Sequence, residues 1–214
     1  MSTYSHKELF RQSQITINNT LNNPVILQKL RDIGFTLEDV QQGETLRVQA
    51  LDWRKARQKK YGTKVSTTDT FNQQWEALKE IYSEHVALAR LTFKKDRVML
   101  KELALKGKRS NSPAEWMEQA SAFYGSIADI QKPLAKYGVK KEDLEQAKAA
   151  LDTLKETYNQ RINYQGSAQD ATQKYQEATD ALHAWMREFR EAARYALRHD
   201  EQLLESLGIL VVSR

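Results

Sequence analysis

Histidine is the side chain whose ordinary pKa lies closest to neutrality, so a histidine on an apolar helix face is the first place to look for chemistry. His85 is such a residue, spaced with Tyr82, Phe71, Trp75, Leu78, Ala89 and Phe93 at intervals of three or four. A histidine among these aromatics has the make-up of a buried base or a small-molecule site in a helical core. The plainer reading is a core histidine hydrogen-bonded to a neighbour. His85 with Tyr82 is therefore carried forward as a core polar site.

Other chemistries lack their residues. A carboxylate-bridged di-metal site in a bundle needs paired Glu-x-x-His segments. The chain offers only Asp180-x-x-His183, and its four histidines, His6, His85, His183 and His199, are scattered. There is no His-Glu-x-x-His, no Gly-x-Ser-x-Gly and no glycine-rich nucleotide loop. With no cysteine there is no thiolate nucleophile, disulfide or cysteine-held metal. No catalytic residue, metal or cofactor is expected, and the balance leans away from an enzyme.

A second candidate is electrostatic. Arg54, Lys55, Arg57, Lys59, Lys60 and Lys64 follow one another without an intervening acid. Such a run can neutralise phosphates and serve as an anion-binding surface. The charge is uneven: residues 1–109 hold 20 Lys/Arg against 12 Asp/Glu, whereas residues 110–214 hold 13 against 16. The net charge of +5 is modest for a nucleic-acid binder.

The elements that must position these residues are helices. The chain is rich in Ala, Leu, Glu, Lys, Gln and Arg and contains only three prolines. Laid on itself at an offset of 104, it matches at roughly 17 of 80 positions over residues 26–105, where chance gives about five. Gly34, Glu38, Asp39, Arg57, Gly62, Glu84, Arg90 and Asp96 fall on Gly138, Glu142, Asp143, Arg161, Gly166, Glu188, Arg194 and Asp200. The counterpart of His85 is Phe189. Ser5-His6-Lys7-Glu8 and Ser112-Pro113-Ala114-Glu115 read as capping boxes that align with a slightly larger offset.

These patterns predict an all-α fold, an up-and-down bundle of four long helices. It would arise by tandem duplication of a helical hairpin unit, with short accessory helices. Residues 1–109 form the first unit and 110–214 the second, packed as one domain. Each hairpin is expected to turn at Gly62 or Gly166, and Asp96 and Asp200 either cap a short final helix or are simply solvated. Antiparallel pairing around those turns would set Arg90 against Glu38-Asp39 and Arg194 against Glu142-Asp143.

The longest apolar run, Ile209 to Val212, is too short to span a membrane, and no apolar leader precedes Ser5. A cytoplasmic location follows as the default. The favoured function is a non-enzymatic scaffold or protein-interaction module, with a protein partner or self-association. The alternatives are nucleic-acid or anionic-surface binding through the basic first unit, and small-molecule binding near His85.

Overall fold

The computed structural model describes residues 5–210, all helices and connecting turns, with no strand among them. The order is α1 (His6–Leu21), α2 (Pro24–Arg31), α3 (Leu37–Thr92), α4 (Arg97–Glu102), α5 (Pro113–Gly125), α6 (Ile127–Ala135), α7 (Lys141–Ala196) and α8 (Glu201–Ser206). Among the described residues no helix is long and apolar enough to cross a membrane.

The turns expected at Gly62 and Gly166 are absent. Both glycines lie inside uninterrupted helices of 56 residues, α3 and α7. A glycine inside a helix costs only about 1 kcal/mol relative to alanine. No proline follows either one within its helix, so the helix continues. Two long helices thus stand where four were expected. Their bounds repeat the sequence register: α7 and α8 begin and end 104 residues after α3 and α4.

The chain forms two compact units. The first comprises Met1–Tyr61 and Ser167–Arg214, the second Gly62–Gly166. Each therefore takes the front of one long helix and the back of the other. In the first unit Leu9, Ile17, Ile26, Leu30, Val40, Leu182, Phe189 and Leu197 form a core, each 0% exposed. In the second unit Phe71, Phe123, Tyr124, Ile130, Leu134, Leu144 and Leu154 do the same. The accessory helices align by burial as well: Leu9, Phe10, Ser13, Thr16 and Ile17 of α1 are buried, and so are Trp116, Met117, Ala120, Phe123 and Tyr124 of α5, 107 positions on.

Capping explains several residues shared at the 104 offset. Thr36 N donates to the Asp39 carboxylate at 2.6 Å, and Lys140 N donates to Asp143 at 2.8 Å. These aspartates tie down the entries of α3 and α7, where negative charge also suits the helix dipole. The Arg90–Asp39 pairing is consequently not made. One continuous helix puts Asp39 in its first turn and Arg90 in its last. Arg90 instead donates from Nε to Leu105 O (2.8 Å) and from Nη2 to Gly107 O (2.6 Å).

Asp96 caps α4 by accepting from Val98 N and Met99 N, each at 3.0 Å. Asp200 makes no such cap and pairs with Lys29. Ser5 caps α1 through Glu8 N, but Ser112 forms no side-chain cap. At α5 the hydroxyl of Ser110 intervenes, accepting from Ser112 N at 3.0 Å and donating to Glu115 at 2.7 Å.

Candidate functional site

A groove of about 850 Å³ opens in the first unit. One wall is the back of α7, with His183, Met186, Arg187, Arg190 and Arg194; another is α1, with Glu8, Arg11, Gln12 and Ile15. Glu205, Gly208, Ile209 and Leu210 complete it. The positions on each helix recur at three or four residues, so each presents one face. Gln12 and Thr16 hold the end of α8 in place, donating to Leu207 O at 2.8 and 3.1 Å. Gly208 is left-handed (φ +71), and an added Cβ would sit 2.0 Å from the Gln12 amide nitrogen.

The groove is rich in guanidinium. Arg11, Arg187 and Arg194 are exposed, and among the described residues none of them forms an ion pair. Arg190 is more enclosed, and burial, then the positive charge of Arg194, hold its pKa below the ordinary arginine value. His183 is also lowered, first by burial and then by the positive charge of His6; Asp180 opposes the shift and Arg187 adds to it. A guanidinium has only donors, so this wall offers hydrogen bonds and positive charge to whatever supplies acceptors.

In the second unit the counterpart face is described together with the segment that follows α4. Counting back 104 residues, Met186, Arg190 and Arg194 correspond to Tyr82, Val86 and Arg90. Counting on 107, Glu8 and Gln12 correspond to Glu115 and Gln119. There the segment from Leu105 to Ser110 lies across these residues. Arg90 holds the carbonyls of Leu105 and Gly107. Arg109 donates to the Tyr82 hydroxyl at 2.9 Å. Ser110 donates from N to Gln119 at 3.2 Å and from Oγ to Glu115.

The residues singled out from sequence lie elsewhere. His85 is 6% exposed in the second unit, its Nδ1 3.1 Å from the Tyr124 hydroxyl. Tyr82 is 1% exposed and meets Trp116 and Phe123 edge-on. Burial lowers the His85 pKa, against the opposing pull of Asp143 and Glu84, and burial pushes the Tyr124 phenol up. Two neutral side chains thus share one hydrogen bond inside an aromatic shell.

The basic run is mid-helix rather than at a helix end, because α3 continues through it. Lys64 belongs to the second unit, and Arg54, Lys55, Arg57, Lys59 and Lys60 to the first. Arg54 lies over Phe10 and Arg57 over Tyr175, while Lys55 pairs with Asp52 at 3.5 Å. The role of Arg57 repeats at the counterpart position: Arg161 lies over Phe71 at 5.1 Å, as Arg57 lies over Tyr175 at 5.3 Å. These two arginines are kept because each covers an aromatic face.

Sequence reasoning missed the groove. Its signal was present as a difference between counterparts: Arg187 and Arg190 stand where the first half of the sequence has Ser83 and Val86, and Arg11 aligns with Glu118. Asp180 accepts from Gln176 Nε2 at 3.0 Å. Among the described residues no group of three or more His, Asp or Glu is placed to hold a metal. Compared with protein-family models, with curated proteins and with solved structures, the chain matches none of them.

Proposed function

We propose that the chain is a non-enzymatic protein-interaction module, built by tandem duplication, whose docking surface is the arginine-lined groove of the first unit. One observation carries this reading. The groove brings Arg11, Arg187 and Arg194, all exposed and none in an ion pair among the described residues, together with Ile15 and Leu210. A concave face that joins apolar side chains to guanidinium donors fits the recognition of a polypeptide.

The alternatives have less support. His85 and Tyr82 are enclosed by aromatic packing. Within the basic run, Arg54 and Arg57 cover aromatic rings and Lys55 faces an acid.

The test is affinity capture from cells that express the protein, comparing the wild type with an Arg11→Glu, Arg187→Glu variant. Both substituted residues are exposed, so the helical circular dichroism should not change. A specific protein partner should be retained by the wild type and lost by the variant. Equal retention by both, or no partner above background, would sink the reading.

A further inference from the structure

We infer that a second copy of this chain docks on the outer face of α4 through the outer face of its own α8, and that opposite charge drives the contact. The inference does not rest on the groove. It comes from a charge reversal between counterpart helices.

α4 and α8 have six residues each and lie 104 positions apart. Both turn the same positions inward. Met99 and Leu100 lie against the core of the second unit, and Leu203 and Leu204 belong to that of the first. Leu103 and Leu207 follow them, both 0% exposed. Residues 97, 98 and 101 of α4 and residues 201, 202 and 205 of α8 are exposed.

These equivalent outer faces carry opposite charge. Arg97 and Lys101 stand where α8 has Glu201 and Glu205. On both helices the two charges are four residues apart, about 6 Å along the axis, so two such faces can close both ion pairs at once. Among the described residues none of the four forms an ion pair. Lys101 in a last turn and Glu201 in a first turn suit their own helix dipoles. Arg97 opens α4 and Glu205 lies in the last turn of α8, and both oppose the dipole. Local helix stability therefore accounts for neither, whereas a partner of opposite charge accounts for both.

Neighbouring groups agree with this division. Asp96 is taken up by the α4 cap, which leaves Glu102 as the one exposed acid of α4, against Lys94 and Lys95 just before it. Near α8, Asp200 pairs with Lys29 and Arg198 lies over Tyr195. Val98, at the centre of the basic face, is 63% exposed. A depression of about 760 Å³, whose lining includes Glu201, Gln202 and Leu203, gives it an apolar floor on the partner. The segment after α4 does not cover the basic face, because it runs onto α3 and α5 through Arg90, Tyr82 and Gln119. Two six-residue helices make a small contact, so the association is weak and sensitive to salt.

The experiment is sedimentation equilibrium of the full chain from about 10 to 500 μM, at about 50 mM and about 500 mM salt. The weight-average mass should rise with concentration at low salt and return to that of a monomer at high salt. Arg97→Glu with Lys101→Glu, or Glu201→Lys with Glu205→Lys, should weaken association by at least about tenfold. An equimolar mixture of the two reversed proteins should associate again, since the reversed faces complement each other, as do the unaltered ones. That recovery also shows that both variants are folded. Arg11→Glu with Arg187→Glu should leave the association unchanged, which separates this contact from the groove. A monomer at every concentration, indifference to either reversal, or no recovery on mixing would each overturn the proposal. A chain that stays monomeric yet binds anionic vesicles or a labelled oligonucleotide through Arg97 and Lys101 would assign the basic face to a polyanion instead.

Discussion

The indole of Trp185 occupies the space that a side chain on residue 43 would need: a Cβ built on Gly43 lies 2.2 Å from Trp185 Cζ2. The ring is anchored there, since Nε1 donates to Asp39 O at 2.8 Å. The counterparts of this pair are Ala147 and Ile81, so a smaller partner accompanies the larger residue at the helix contact.

That relationship predicts the behaviour of a double-mutant cycle. Gly43→Ala gains up to about 1 kcal/mol in helix propensity but forces the indole from its site, which costs about 1–3 kcal/mol. The single variant should therefore be less stable than the wild type. Combined with Trp185→Ile, the same substitution should be tolerated, leaving a coupling of at least about 1 kcal/mol. Urea unfolding of the four proteins measures it. A Gly43→Ala variant as stable as the wild type would show that the ring moves without cost.

Individual residues show how far the sequence could be read. Gly34 and Gly138 were legible as helix stops, and each has φ +88. Gly62 and Gly166 have the same residue type and the same repeat spacing, yet both are helical. Packing at the glycine does not separate the two pairs, since a Cβ would meet nothing within 4 Å at any of the four; a new helix start, tied down by Asp39 or Asp143, follows Gly34 and Gly138, whereas the helix runs on through Gly62 and Gly166. The long helices then changed every partner inferred from a hairpin, and Arg90 went from an acid to two carbonyls. The groove was hidden for a related reason. Residues that the counterparts share serve caps and core, whereas the groove wall is made where they differ, at Arg11, Arg187 and Arg190.

Ala104 is the one non-glycine residue with positive φ among the described residues, at +49, and its counterpart is Gly208 at +71. Both follow a six-residue helix and turn the chain back. An alanine in the left-handed region carries a cost of roughly 1–2 kcal/mol that glycine avoids. Glycine also gives the unfolded chain more freedom, which removes part of that gain. Ala104→Gly should raise stability by a net of about 0.5–1 kcal/mol, seen as a higher urea midpoint with an unchanged slope. A lower midpoint would mean that the Ala104 methyl contributes packing worth more than the strain.

His85 makes stability depend on pH. Its folded pKa lies below the ordinary histidine value, mainly because burial disfavours the charged ring. The unfolded chain therefore binds this proton first as pH falls through about 6.5, and stability drops in that window. At pH 7.5 the ring is neutral in both states and this loss is absent. His85→Phe, the residue found at its counterpart, removes the titration but leaves the Tyr124 hydroxyl without that partner. The variant should be less stable than the wild type at pH 7.5 by about 1–3 kcal/mol, and the gap should narrow at pH 5. His183, whose pKa is lowered in the same direction, contributes alike to the pH dependence of both proteins. A gap that is constant from pH 7.5 to 5 would assign the pH dependence elsewhere.

Arg90 and Arg194 occupy equivalent positions at the ends of α3 and α7 but have different work. Arg90 holds the Leu105 and Gly107 carbonyls, and with them the segment that closes the second unit. Truncating it leaves a partly buried carbonyl unsatisfied and frees the segment, so Arg90→Ala should cost about 1–3 kcal/mol. Arg194 is exposed on the groove wall and makes no comparable bond with the described residues. Arg194→Ala should stay within about 0.5 kcal/mol of the wild type, as surface substitutions do. Hydrogen exchange should locate the difference: amides of residues 103–110 lose protection in Arg90→Ala, while Arg194→Ala leaves its own unit unchanged. Equal destabilisation by the two substitutions would mean that Arg194 is already engaged as Arg90 is, and that the groove is not open to a partner.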